Sequence, residues 1–193
     1  MLLLFEKIYK RLSKKQKEKV IYIYKYYKLI ISFPRNIVSY AITYLLKDKK
    51  IKNINIFEQR FYSQNGEDGI LKIIFYKIGV TNKFCVEFGI DTIEGNTVYF
   101  QKKGWECLWM DSTHFGKNIK NEYVTAENIN ELFKKYDVPI EFDLLSIDID
   151  FNDYWVWKAI KGYSPRVVVI EYNSSISPTE SRVVEYNPDS YWD

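Results

Sequence analysis

The sequence has few cysteines and histidines, and its apolar stretches are short. Only two of its 193 residues are cysteines and one is a histidine. Cys85 and Cys107 lie in separate apolar stretches, and without secretory flanks they predict buried structural thiols in a reducing compartment. The first residues contain too short an apolar stretch for a secretory signal. Residues 20–33 are aromatic and apolar, but these 14 residues fall short of the roughly 20 that a membrane-spanning helix needs.

Charge is divided unevenly along the chain. Residues 1–52 carry 14 Lys and Arg against 3 Asp and Glu, whereas residues 53–193 carry 14 basic and 22 acidic groups. This division predicts a basic helical N-terminal extension, 1–52, joined to an acidic domain, 53–193. Tyrosines and lysines in residues 1–33 fit a helix at a membrane surface, and packing on the domain or a partner is the alternative. No nucleic-acid-binding motif is present, so we expect no nucleic-acid partner. The expected location is the cytoplasm, with contact to a membrane surface through residues 1–33 as one of the two alternatives.

Short apolar stretches alternate with helical patterns after Asn53. Strands rich in Val, Ile and Leu, separated by helices, predict an α/β fold with a mostly parallel sheet covered on both faces. Asn65 is expected to cap the first helix, with Asp68 completing a capping box, and Asp153 to cap the fourth helix. The predicted strands are 83–90, 105–111, 123–128, 142–150 and 166–173, and the predicted helices are 69–78, 97–103, 128–139 and 153–163.

Acidic residues stand at the ends of four predicted strands. Glu87, Asp111 and Glu171 lie near the carboxyl ends of three of them, and Asp148 and Asp150 lie at the end of another. Ligands of open parallel sheets bind outside the carboxyl ends of the strands. These side chains are therefore expected to form one site.

The spacing of the first two acids suggests the cofactor. Asp111 follows Glu87 at about the separation at which an acid binds ribose hydroxyls in such folds. Gly89 lacks a Cβ atom, so the backbone there can approach a ligand closely. The chain contains no Gly-x-Gly-x-x-Gly and no phosphate-loop lysine motif. An adenosine ligand without pyrophosphate, of which S-adenosylmethionine (SAM) is the common one, is favoured over NAD.

Residues 61–173 include the stretches SQNGEDGI, CVEFGI, GNT, GWECLWMD, TAENIN, FDLLSIDIDFNDYWVWKAI and PRVVVIEYN. Together these stretches resemble the FkbM-like group of SAM-dependent methyltransferases. The resemblance implies a Rossmann-like methyltransferase fold and O-methylation of a sugar, glycan or related small-molecule acceptor. It also implies the cofactor-binding residues Gln64, Glu67, Glu87, Gly89, Asp111, Asn128 and Asp148.

Two features depart from the family pattern. Ile93 stands where a second glycine would follow Gly89, and a β-branched side chain there can crowd the methionine part of SAM. Residues 174–193 leave room for one short strand, Val183–Tyr186, so we expect the last sheet strands to be missing and the chain to be truncated. An open sheet edge favours a homo-oligomer. A degenerate, inactive interaction module is the alternative to an active enzyme.

The carboxylates also suggest the proton acceptor for methyl transfer. Asp148, Asp150 and Glu171 are the candidate catalytic residues, because crowded carboxylates raise one another's proton affinity, which suits a general base. The alternative is that they bind Mg²⁺, which prefers oxygen ligands. His114 is expected to be a surface residue.

Overall fold

A computed structural model describes residue 51 and residues 53–90, 94–114, 116–177 and 179–189. The predicted extension 1–52, apart from residue 51, and Ile93 lie outside the described residues, so the predictions on them stay predictions. None of the described helices is long and apolar enough to cross a membrane. The helices are the 3-10 helix Ile54–Phe57 and the α-helices α1 Glu67–Ile78, α2 Val98–Gln101, α3 Ile129–Lys135 and α4 Asp153–Ala159. The strands are β1 Phe84–Phe88, β2 Glu106–Asp111, β3 Ile119–Asn121, β4 Glu141–Ile147 and β5 Ser164–Ile170.

The five described strands form one sheet in the order β3-β2-β1-β4-β5, and every neighbouring pair is parallel. The predicted α/β fold with a parallel sheet is thereby confirmed, and this sheet is consistent with a Rossmann-like fold. The chain runs outward from β1 to β3 on one side and then crosses to β4 and β5 on the other. β1 and β4 are neighbours at the point where the strand order reverses, which is where ligands bind in open parallel sheets.

Both faces of the sheet bury apolar side chains. All residues of β1 are buried, as expected for a central strand of a parallel sheet. On one face, Val86 packs in a core with Phe133 of α3 and Val156 of α4. On the other face, Leu144 packs in a core with Leu71 of α1. The helices therefore cover the sheet on both sides.

The buried carboxylate of Asp143 holds together the amino ends of β1, β4 and β5, and we call this group the amino-end clamp. Its oxygens accept hydrogen bonds from the backbone N–H groups of Thr81, Asn82 and Lys83 at 2.8–3.1 Å. The Thr81 hydroxyl donates at 2.8 Å and the Arg166 guanidinium at 2.7 Å. Burial opposes ionisation, but Arg166 and the other donors outweigh it and lower the pKa of Asp143 below its ordinary value.

Cys85 and Cys107 form a disulfide, so the prediction of two separate thiols is wrong. The two residues lie opposite each other in β1 and β2, with their Cα atoms 4.6 Å apart. Sequence spacing alone could not reveal this pairing, because it does not give the register of two strands. Since disulfides persist mainly in oxidising environments, the cysteines give no support for a reducing compartment.

The third strand lies earlier than predicted. β3 ends at Asn121, whereas the prediction placed this strand at residues 123–128. In that stretch the Asn128 side chain accepts a hydrogen bond from the Thr125 backbone N–H and donates one to the Tyr123 carbonyl, both at 2.8 Å. Side chains that bond to neighbouring backbone compete with strand pairing, and this explains the error.

Neither of the predicted N-caps is correct. Gly66, in a left-handed conformation with φ 98°, is the N-cap of α1, and Asp68 bonds instead to the chain before the helix. Asn152 is the N-cap of α4, and the Asp153 carboxylate accepts a hydrogen bond from the Ile149 N–H at 3.0 Å. Before both α1 and α4, a carboxylate accepts hydrogen bonds from the backbone that precedes the helix.

Residues 179–189 contain no strand, and side chains of α4 and of the turn before it hold this segment. The indole N–H of Trp155 donates to the Val184 carbonyl, and the Asn152 amide donates to the Asn187 carbonyl, both at 2.8 Å. Among the described residues, β5 has a strand neighbour on one side only. Pairing of this edge with a second copy stays a prediction.

Candidate functional site

A cavity of about 620 Å³ opens at the carboxyl ends of β4 and β5. The strand ends contribute aliphatic side chains, and α1 and the segment before it form another wall. Asn96 reaches the cavity from the loop after β1. The acidic residues of its lining are Glu58, Glu67, Asp148 and Glu171.

Asp148 and Glu171 both line the cavity and interact electrostatically, and we call them the carboxyl pair. They directly follow β4 and β5, whose last residues are paired in the sheet. Two adjacent carboxyl groups can be joined by a hydrogen bond when one of them is protonated. Partial burial, together with the nearby charges of Asp153 and Asp150, raises the pKa of Asp148 to about 6. Partial burial and the charge of Asp148 raise the pKa of Glu171 to about 7.

Asp150 lies in the turn from β4 into α4, and Asp153 is the first residue of α4. Asp150 and Phe151 both have a left-handed backbone, with φ 55° and 58°. Two consecutive non-glycine residues in this conformation are uncommon, and such strain is found at functional sites. Burial raises the pKa of Asp153. Asp150 therefore adds negative charge near the pair, while Asp148 and Glu171 are the two candidate catalytic residues that line the cavity.

The polar segment before α1 is organised by the buried side chain of Asp68. One carboxylate oxygen accepts hydrogen bonds from the backbone N–H groups of Phe61, Tyr62 and Ser63 at 2.6–2.9 Å. The Ser63 hydroxyl accepts a hydrogen bond from the Asp68 N–H at 3.2 Å. Ser63 and Asp68 of the stretch SQNGEDGI, residues 63–70, therefore stabilise the fold.

Other residues of the stretch SQNGEDGI bring polar groups to the cavity. A Cβ atom at Gly69 would lie 1.9 Å from the Phe57 carbonyl oxygen, so glycine allows α1 to pack on the preceding chain. Glu67 lines the cavity together with Asn65, whose N–H donates to the Glu67 carboxylate at 2.9 Å. Gln64 is exposed and lies outside the lining. Of the two contacts predicted here, only Glu67 is placed at the cavity.

Glu87 is the centre of a buried hydrogen-bond network beside the cavity. Its carboxylate accepts hydrogen bonds from the N–H groups of Asn96 and Thr97, at 2.7 and 3.0 Å, and from the Thr97 hydroxyl at 2.5 Å. That hydroxyl accepts a hydrogen bond from the Trp109 indole at 2.7 Å, and the Asn96 amide donates to the Ser146 hydroxyl at 3.0 Å. Burial raises the pKa of Glu87 against these donors. Glu87 thus positions Asn96 at the cavity wall.

Gly89 contacts the neighbouring strand end of its own chain. It has φ 73°, and a Cβ atom there would lie 1.5 Å from the Asp148 carbonyl oxygen. Glycine is therefore required for β1 and β4 to lie side by side at their carboxyl ends. This close approach serves the sheet beneath the carboxyl pair.

Asp111 and Asn128 lie outside the cavity lining. One oxygen of Asp111, at the carboxyl end of β2, accepts hydrogen bonds from the N–H groups of Thr113 and His114 at 2.6 and 2.7 Å. The side chain of His114 is 49% exposed, as expected for a surface residue. Asn128 bonds within the turn before α3. The cavity therefore brings together Glu67, Asp148 and Glu171, but not Asp111 or Asn128.

Sequence reasoning missed Asn96 and Ser146 as parts of the site. Asn96 belongs to the stretch GNT, and its signal was a polar residue in the loop after an acid-bearing strand. Ser146 precedes Asp148 by two residues in β4, and a buried serine in an apolar strand marks a polar contact on one face. Both signals are local, but the contact between the two residues depends on the fold.

The described residues contain no group of three or more His, Cys, Asp or Glu side chains that could hold a metal ion. The acids of the cavity are distributed around its walls, so the part of the chain that the structure describes supplies no ligand set for the alternative Mg²⁺. The magnesium alternative stays untested.

Comparisons of the chain with protein-family models, with curated proteins and with solved structures found no match. The function is therefore inferred from the site.

Proposed function

We propose that this chain is a SAM-dependent methyltransferase of the FkbM-like group that methylates a hydroxyl group on a sugar, glycan or related small molecule. The observation that carries the proposal is the carboxyl pair, Asp148 and Glu171, which lies at a cavity on the carboxyl edge of the sheet. Ligands of open parallel sheets bind at this edge.

The residues of the carboxyl edge fit an adenosine cofactor in part. Asp111 fits a role toward ribose hydroxyls, because it ends β2, the neighbour of β1, and its own loop orients the carboxylate. Glu87 and Gly89 do not fit direct contact, because both carboxylate oxygens of the first accept hydrogen bonds from its own chain, unlike those of Asp111, and the second packs against Asp148. Asp111 is therefore the residue we assign to SAM.

The carboxyl pair is suited to take up a proton. Bound SAM supplies an electrophilic methyl group, and an acceptor hydroxyl that receives it must lose its proton. General bases work best when their pKa lies near the working pH. With pKa values of about 6 for Asp148 and about 7 for Glu171, the pair offers an ionised carboxylate at neutral pH.

Calorimetric titration of the chain with SAM, and separately with NAD, tests the proposal. We expect saturable binding of SAM and none of NAD. Asp111→Ala is expected to weaken SAM binding by about 1–3 kcal/mol, the value of hydrogen bonds to a charged group. Thr113→Val is the matched control, because it removes a hydroxyl that donates to Asp111 at 2.9 Å but leaves the carboxylate in place.

The control separates a ligand contact from a change in the loop. If both variants lose SAM affinity equally, the loop rather than the Asp111 carboxylate is responsible. If the unchanged chain fails to bind SAM, the methyltransferase proposal is wrong.

A degenerate interaction module without a cofactor is the second candidate. It is favoured by Glu87 and Gly89, whose contacts lie within the chain rather than toward a ligand. Such a domain would keep the parallel sheet but bind neither SAM nor NAD. The same titrations therefore distinguish the two candidates.

A further inference from the structure

The charged side chains that line the cavity are all acidic. Glu58, Glu67, Asp148 and Glu171 contribute carboxyl groups, and the described lining contains no lysine, arginine or histidine. Its other polar side chains include the amides of Asn65 and Asn96. An anionic ligand would meet repulsion here, and a neutral ligand would leave the carboxylates without a counter-charge.

These acids come from separate parts of the chain. Glu58 follows the 3-10 helix, Glu67 begins α1, and the carboxyl pair follows β4 and β5. No three of them form a group that could hold a metal ion. Acids distributed around a cavity of about 620 Å³ fit an extended organic cation better than a single metal ion.

We infer that the acceptor bound in this cavity carries a protonated amine in addition to the hydroxyl group to be methylated. This inference rests on the proposed function, since it names the substrate class of the same site. The amine binds at the carboxyl pair, and the hydroxyl lies within reach of Asp148, which stays the proton acceptor once the ammonium has replaced the proton of the pair. Hydrogen bonds from a charged donor to a carboxylate are shorter and stronger than neutral ones.

Binding of an amine is linked to the proton of the carboxyl pair. The ammonium group takes the place of the proton between Asp148 and Glu171, and that proton leaves to solvent. The other acids that act on the pair are Asp150 in the adjoining turn, Asp153 at the start of α4 and Glu87 on β1, and all of them favour the cation. Affinity for an amine is therefore expected to rise with pH as the pair ionises.

Three probes of equal length test the inference: aminohexanol, hexanediol and hydroxyhexanoate. Each has a hydroxyl group at one end, and the other end is an ammonium, a hydroxyl or a carboxylate. Calorimetric titration of the full chain at about pH 8 should show aminohexanol binding at least about tenfold more tightly than hexanediol, the worth of one charge-assisted hydrogen bond. Hydroxyhexanoate should bind least, and aminohexanol should bind more weakly at about pH 5.5.

Two variants locate the binding site. Glu171→Gln and Asp148→Asn should each reduce aminohexanol affinity about tenfold and hexanediol affinity by much less. Glu131→Gln, an exposed acid of α3 outside the cavity, is the control for a simple loss of negative charge. Circular dichroism of each variant confirms that it is folded, and the hexanediol titration confirms that its cavity is intact.

The outcomes separate this inference from the proposed function. Equal binding of aminohexanol and hexanediol, or binding of Mg²⁺ alone at the pair, would overturn the inference and leave the SAM titration unaffected. Lost affinity in Glu131→Gln would also overturn it, because a distant charge would then suffice. If aminohexanol binds as expected but SAM does not bind, the amine site stands and the methyltransferase proposal fails.

Discussion

The amino ends and the carboxyl ends of strands β4 and β5 place carboxyl groups in opposite electrostatic environments. At their amino ends, Asp143 is surrounded by donors and paired with Arg166, and its pKa is lowered. At their carboxyl ends, Asp148 faces Glu171, and the pKa of both is raised. The same two strands therefore lead from one carboxylate that is paired with an arginine to two carboxyl groups that have no cationic partner among the described residues.

This difference indicates that the carboxyl groups at one end of the sheet contribute to stability, whereas those at the other end are available for function. The amino-end clamp satisfies the carboxylate within the chain, and so it contributes to folding. The carboxyl pair does not satisfy its members in the same way, which is expected where a ligand supplies the missing partner. Local features that oppose stability at a cavity are a reason to assign a function to that cavity.

The largest effect is expected from a substitution that disrupts the amino-end clamp. Asp143→Asn removes the charge that pairs with Arg166 and turns an acceptor into a donor that faces the N–H groups of Thr81 and Lys83. Loss of one partner of a buried ion pair costs about 3 kcal/mol or more. Urea unfolding should show this loss, whereas Glu141→Gln, an exposed acid of the same strand, should change stability by less than about 0.5 kcal/mol. Equal stability of the two variants would contradict the role of Asp143.

A smaller effect is expected where the sheet supports the carboxyl pair. Gly89→Ala places a Cβ atom against the Asp148 carbonyl oxygen in a residue with φ 73°. Gly162→Ala is the matched control, because its φ of 77° is similar but nothing lies within 4 Å of the added atom. We expect Gly89→Ala to destabilise the chain by about 2 kcal/mol more than the control, the cost of forced overpacking. Equal urea midpoints for the two variants would show that this contact is unimportant.

The smallest expected effect distinguishes the two sites by pH. A raised carboxyl pKa means that the folded chain binds more protons than the unfolded chain between pH about 4 and about 7, so the carboxyl pair makes stability fall as pH rises through that range. The lowered pKa of Asp143 has the opposite sign, and its contribution is lost as pH falls below about 4. Glu171→Gln should reduce the first fall and leave the second unchanged. Because Glu171 is exposed, we expect a difference below about 1 kcal/mol in urea unfolding across that range.

Identical pH profiles for Glu171→Gln and the unchanged chain would argue against a shared proton. Asp148→Asn provides a second measurement, since it removes the other member of the pair. Both variants keep the amino-end clamp, so both should retain the loss of stability at low pH.

The parallel sheet and the carboxyl pair were both predictable from the sequence. Val-rich and Ile-rich stretches between helices indicate a parallel sheet, and acids directly after two such strands must meet at one edge when those strands are neighbours. Asp148 and Glu171 fulfil this condition because β4 and β5 pair in register.

Other features could not be predicted, because they depend on register or on competition for hydrogen bonds. The pairing of Cys85 with Cys107 follows from the alignment of β1 with β2. From the sequence, Asp68 is expected to complete a capping box at the start of α1. Instead, its carboxylate accepts hydrogen bonds from three backbone N–H groups of the preceding segment. From its place at the end of a predicted strand, Glu87 is expected to contact a ligand. In the structure its carboxylate instead accepts hydrogen bonds from the loop that carries Asn96.

Carbon-13 NMR of the side-chain carboxyl groups, followed through a pH titration of the full chain, tests the central claim most directly. Asp148 and Glu171 are predicted to titrate near 6 and 7, and to shift to lower pH when aminohexanol is added. Asp143 is predicted to titrate below its ordinary value and to be unaffected by the amine. If all three groups titrate near 4, the ordinary range of carboxyl groups, and none responds to the amine, the contrast between the two ends of the sheet is contradicted.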